Sequence, residues 1–157
     1  MYEALPVEKG RPVEWKLPPK EFYEALGFDG MKDLMYRFYD EIYDSGIANF
    51  FPQDEAEFEK VKEKNTKFFI ELCGGPKIYD EVADGMDLNE YMLRIHDEFS
   101  IYDKSRFEWL GCMETALRDT PIDQKLKDEF WDYLEKFSKL TVNTFSDGST
   151  YYATTAV

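Results

Sequence analysis

Apolar residues recur at intervals of three and four, in runs punctuated by glycine and proline, and this confines the chain to a helical fold. Met31, Leu34, Met35, Phe38 and Ile42 make one stripe, ending near Ser45-Gly46, with Tyr39 inside it. A second helix runs from about Asp54 to Cys73 through Phe58, Val61, Phe68, Phe69 and Leu72, and Gly74-Gly75-Pro76 stops it. Asp87 with Glu90 has capping-box spacing and opens a third, carrying Leu88, Met92, Ile95, His96 and Phe99. Asp103 is placed to cap a fourth, with Leu110, Met113 and Leu117. Thr120-Pro121 starts a fifth, which Ile122, Leu126, Phe130, Leu134, Phe137 and Leu140 carry to about Phe145. A shorter helix from Pro19 is broken at Gly27. Strand signals and internal repeats are absent, so the expected class is all-α, a bundle or a globin-like packing.

Residues 1–18 hold Pro6, Pro12, Pro18 and Gly10 and show no helical period, so an extended arm is expected there. Residues 19–146 then form the domain and 147–157 a polar tail. A length of 157 residues suits one core. With 33 acidic against 19 basic residues the net charge is −14 and no basic stripe occurs, which disfavours nucleic acid and anionic membranes as partners. No basic segment leads into an apolar run and none is long enough to span a bilayer, so a cytoplasmic location is expected. Cys73 and Cys112 then read as free thiols.

Three polar residues interrupt apolar stripes on separate helices: Tyr39, Asn65 and His96. Each alone has an ordinary explanation as a satisfied core residue. Together, in a chain with 13 Phe, 11 Tyr and 3 Trp, they describe one polar pocket in an aromatic cavity or simply a well-filled core. A single histidine in the whole chain excludes any site built on two or more histidine ligands.

Several short motifs stand in a fixed order: Phe38-Tyr39; Phe51-Pro52; Gly74-Gly75-Pro76-x-x-Tyr79-x-Glu81; His96-x-x-Phe99-x-Ile101; and Trp109-Leu110-x-Cys112-Met113-x-x-Ala116-Leu117. In this order the chain, from about Phe22 to Asn143, resembles the truncated haemoglobins, and among them the second group. The resemblance implies a globin-like two-over-two helical sandwich around haem b (iron protoporphyrin IX). It implies His96 as the axial ligand to iron, and Tyr39 and Trp109 as donors to a gaseous ligand, O2, NO or CO. Asn65 and Val61 take the distal positions of the second helix, with Asn65 placed to bond the ligand or to hold Tyr39. Phe51 packs on the porphyrin, and Val61, Phe99 after the axial histidine, and Phe38 beside Tyr39 count with it as cofactor-binding residues.

The sequence also departs from the family pattern. Ile95 stands where an arginine often precedes the axial histidine, and Asp84-Gly85-Met86 where Gly-His-Pro is frequent. Arg94 becomes the candidate anchor for a haem propionate. Ligand retention by several donors suits NO or peroxide detoxification with a separate reductase, in a monomer or weak homo-oligomer. The contrasting expectation is a haem-free helical module that binds other proteins.

Overall fold

The structure is a computed structural model that describes residues 2–79, 82 and 86–152. Glu81, Asp84 and Gly85 of the sequence motifs lie outside the described residues. Among those described there are five α-helices: α1 Lys20–Tyr43, α2 Glu55–Leu72, α3 Leu88–His96, α4 Asp103–Arg118 and α5 Gln124–Ser138. Helix α1 packs mainly on α2 and α4, and α4 on α5, which gives the expected all-helical sandwich.

The stripe predicted for α1 is its buried face: Met31, Leu34, Met35, Phe38, Tyr39 and Ile42 are all in the core. Gly27 adopts φ 68°, ψ −177° within α1, a left-handed φ that glycine reaches without a Cβ penalty. The expected break therefore exists, as a kink within α1, with Asp29 and Gly30 already helical. Asp54 caps α2 by accepting from the Glu57 N–H at 3.0 Å. At the other end, a Cβ on Gly75 would meet the Ile70 carbonyl oxygen at 2.8 Å and the Tyr23 ring at 2.9 Å. No larger residue fits there.

The last helix differs from expectation at both ends. Thr120 spends its hydroxyl on the Ala116 carbonyl (2.9 Å) and accepts Arg37 Nη2 (3.1 Å), so it closes α4 and leaves α5 to begin at Gln124. Helix α5 ends at Ser138, well short of Phe145, followed by a 3-10 turn at Lys139–Thr141. The cause is Asn143, whose side chain bonds Phe99 and Ile101 and so holds its backbone outside the helix. Beyond it a turn over 144–150 closes with an isolated Thr144–Thr150 bridge, the strand-like feature the sequence did not announce.

Asp103 does not cap α4. It is the first helical residue, and its carboxylate receives the Val7 N–H at 3.0 Å. The N-terminal arm is thus extended but docked. Tyr2 stacks on Trp131 at 4.6 Å, Trp15 meets Tyr133 and Phe137 edge-on, and Leu5 N–H donates to Glu135. Beneath the arm lies Arg106, 2% exposed, which donates to the carbonyls of Leu5 (2.7 Å) and Glu135 (2.6 Å) and to Ser138 Oγ (2.8 Å).

Candidate functional site

Tyr39 lies in the wall of α1, 3% exposed. Aromatic rings from its own helix and from two other segments converge on it. Phe38 is 5.0 Å away, Phe51 of the corner after α1 is edge-on at 5.9 Å, and Phe58 of α2 is edge-on at 6.2 Å. Trp109 of α4 meets Phe38 edge-on at 5.4 Å. Such edge-to-face arrangements set the electropositive rim of one ring on the face of the next. They also order the cluster without filling it by polar groups.

Asn65 of α2, half-buried, donates its Nδ2 hydrogen to the Tyr39 phenol oxygen at 2.7 Å. That bond uses an oxygen lone pair and leaves the phenol's own O–H free to donate elsewhere. Burial pushes the phenol pKa up, and the Asn65 bond offsets this only partly, so Tyr39 stays a protonated donor. The broken stripe in α2 has its explanation in this pair.

Helix α3 carries two different faces. Asn89 and Leu93 are buried, with Tyr133 O–H donating to Asn89 Oδ1. The apolar row read from the sequence, Leu88, Met92, Ile95 and His96, is only half-buried. An apolar helical row that the core leaves partly uncovered is a surface for something to lie against. His96 Nδ1 sits 2.6 Å from the Met92 carbonyl, which places the proton on Nδ1 and the free lone pair on Nε2. Burial lowers its pKa, against smaller opposing effects of the Met92 carbonyl and Asp97, so the imidazole is neutral.

Phe99 does not extend the buried stripe. Helix α3 stops at His96, the Phe99 N–H turns back onto the His96 carbonyl (3.0 Å), and the ring is 43% exposed with its edge towards Phe50. Glu90 likewise gives only half of a capping box. Asp87 accepts the Glu90 N–H, but the Glu90 carboxylate holds Arg94 at 2.7 Å. Arg94 itself is exposed, and Val61 is half-buried one helical turn before Asn65.

The structure therefore brings Tyr39, Asn65, Phe38, Phe51 and Trp109 into one connected cluster. Among the described residues it gives His96, Val61 and Arg94 no hydrogen bond or ring contact to that cluster. Phe58 belongs to the cluster and was legible only as a core residue of the α2 stripe. No cluster of three His, Cys, Asp or Glu side chains that could hold a bare metal ion occurs among the described residues.

Five helices in this arrangement, with a lone neutral histidine on a half-covered apolar face, define a globin. Residues 21–143 match the bacterial-like globin family, and the chain belongs to that family. No curated protein matches the chain in sequence. Among solved structures it is similar to phosphate-bound Hell's gate globin IV, with a TM-score of 0.76 and 26% identity over 89% of this chain and 88% of that one. The group II truncated haemoglobin of Bacillus anthracis gives a TM-score of 0.69 and 26% identity, over 80% of this chain and 98% of that one. The truncated oxygen-avid haemoglobin of Bacillus subtilis shares the fold, with a TM-score of 0.67 and 24% identity over 82% and 100%.

The family implies a haem cofactor. The donor set here fits one: a neutral imidazole with a free Nε2, an apolar row around it, and an oriented phenol among aromatic rings.

Proposed function

We propose that this chain is a haem b protein that binds O2, and also NO and CO, with His96 as axial ligand and Tyr39 and Trp109 as donors to the gas. Haem supplies a redox-active iron that takes a diatomic ligand. Everything else falls to the chain's own residues. His96 offers Nε2 while the Met92 carbonyl fixes its ring, which also raises the basicity of the ligating nitrogen. Phe38, Phe51, Val61 and Phe99 supply apolar contact, and Arg94 exchanges Glu90 for a propionate.

The observation that carries this reading is the Asn65–Tyr39 bond, which commits the phenol oxygen as acceptor and reserves its proton for a ligand. With haem bound, Tyr39 and Trp109 would donate to a gas ligand of negative character, and a hydrogen bond to such a group contributes about 1.5–3 kcal/mol. Two donors would then slow O2 release by about two decades or more. Such retention suits catalysis: O2, NO and one electron give nitrate, the electron coming from a separate reductase. Consistent with action in the cytoplasm, no helix among the described residues is long and apolar enough to cross a membrane. A monomer or weak homo-oligomer serves this role.

The test is a Soret band in purified protein and its fate in His96→Ala. With no second histidine in the chain, the variant is expected to lose haem or hold it loosely. An unchanged ferrous spectrum in that variant, or a wild-type protein that takes up no haem, overturns the reading in favour of a protein-binding helical module.

A further inference from the structure

Helix α3, which carries His96, has nine residues. A helix of that length does not hold itself in water, so its position is set from outside. Near its start, Tyr133 of α5 grips Asn89. Beyond its end, the grip is Asn143. This side chain is 2% exposed, donates Nδ2–H to the Phe99 carbonyl at 2.8 Å, and accepts the Ile101 N–H on Oδ1 at 2.9 Å. The backbone N–H groups of Asn143 and Thr144 both return to the Ile101 carbonyl, at 3.0 and 3.1 Å. Phe99 in turn donates its N–H to the His96 carbonyl. A continuous chain of hydrogen bonds thus runs from Asn143 to the backbone of the residue with the free imidazole nitrogen.

Asn143 is itself held. Thr144 Oγ1 donates to its Oδ1 at 2.8 Å, and the Tyr151 N–H donates to its carbonyl at 2.9 Å. The turn that brings Tyr151 back is closed by Phe145 N–H to the Ser149 carbonyl and by Gly148 at φ 85°. None of these contacts reaches the Tyr39 cluster, so they bear on one side of the site alone.

We propose that Asn143 is a positioning residue for His96, and that the 143–151 turn exists to fix it. The last turn of a helix frays when its carbonyls lack partners, and His96 is the last helical residue of α3. By pinning Phe99 and Ile101, Asn143 keeps that turn wound and keeps the His96 Cα–Cβ direction constant. Without it the imidazole samples a spread of orientations while the rest of the helix stays in place. The proposal rests on His96 being the axial ligand.

The experiment uses the full-length holoprotein. Asn143→Asp keeps size and the Oδ1 acceptor but turns a second oxygen onto the Phe99 carbonyl. Thr144→Val removes only the hydroxyl that steadies Asn143. Two readouts are taken: amide hydrogen exchange at Phe99 and Ile101, and the iron–histidine vibration of the ferrous, unliganded protein. In N143D exchange is expected to accelerate about tenfold or more, as for loss of a buried hydrogen bond, and the band to shift or broaden. T144V is expected to move both in the same direction by less. A lower melting temperature with the band unmoved in both variants shows a purely structural role and overturns the proposal alone. A wild-type protein without the band, or one whose band survives His96→Ala, overturns the axial reading and this proposal with it.

Discussion

Asn65 on α2 donates to Tyr39 on α1 across 2.7 Å, and the direction of that bond orders the site: the amide is the giver, so the phenol has a proton left to give. Tyr39→Phe removes that proton while keeping the ring among Phe38, Phe51 and Phe58. O2 dissociation should rise about tenfold or more, and CO dissociation much less, since CO is the weaker acceptor. Flash photolysis with both gases measures this. Equal effects on the two would make Tyr39 a space-filling residue.

Asn65→Ala acts through Tyr39. The phenol is then free to turn, and O2 dissociation should rise, but by less than in Tyr39→Phe. Because the two share one bond, adding Asn65→Ala to Tyr39→Phe should cost little more. Strict additivity of the two rate changes in that double variant would show that Asn65 bonds the ligand directly.

Arg106 ties the arm to α4 and α5, facing Asp103 and Glu135 at 3.7 and 3.6 Å. Replacing it by Met removes the side-chain donor to the Leu5 carbonyl and the positive charge that faces the two carboxylates. Loss of one partner from a buried pair destabilises by about 3–5 kcal/mol. Urea unfolding should show that loss, and limited proteolysis should show earlier cleavage before Lys20. A change below about 1 kcal/mol, in the range of surface pairs, would mean the arm holds by its aromatic contacts alone.

Cys73 and Cys112 are both free and buried. Burial raises the Cys112 thiol from its ordinary 9.0 to about 11, and raises Cys73 further. At pH 8 both should react slowly with a thiol reagent in the native protein, and both should titrate after denaturation without reductant. The same shift bears on stability. Between pH 9 and 11 the unfolded chain has released a proton that the folded Cys112 retains. The unfolded state therefore binds fewer protons, and stability should fall as pH rises through that window. A shallower slope in a Cys73→Ala, Cys112→Ala variant than in the wild type assigns the difference to the thiols, the remainder coming from buried phenols such as Tyr39 and Tyr133. Equal slopes in the two proteins would remove it from them.

The first four helices and most of their stops were readable because each depends on local facts: an apolar period, Asp87 as a cap, Gly75 where a Cβ cannot fit. Tyr39 and Asn65 were readable as breaks in those periods. What escaped depends on partners distant in sequence. Asn143 looks helical by its neighbours, yet Phe99 and Ile101 recruit its side chain away from the helix. The α3 row of Leu88, Met92 and His96 was visible as apolar, but Tyr133 selects Asn89 for burial in its place. Arg106 did carry a signal that was missed: it stands four before Leu110 and seven before Met113, on the buried stripe of α4. A charge in that register asks for a buried partner, and the arm supplies it.

The docked arm also has a consequence in time. Tyr2 stacks on Trp131 and bonds Asp128, contacts that span most of the chain, so residues 2–15 find their places only after α5 has been made. At ribosomal speeds of about 5–20 residues per second, that is a wait of roughly 6–26 seconds. During it Arg106 waits as well, emerging before the Glu135 and Ser138 that share its guanidinium. Stalled nascent chains ending before residue 131 should keep the arm open to protease, and chains carrying all of α5 outside the tunnel should protect it. The arm is thus made before the helix it covers and sealed after it.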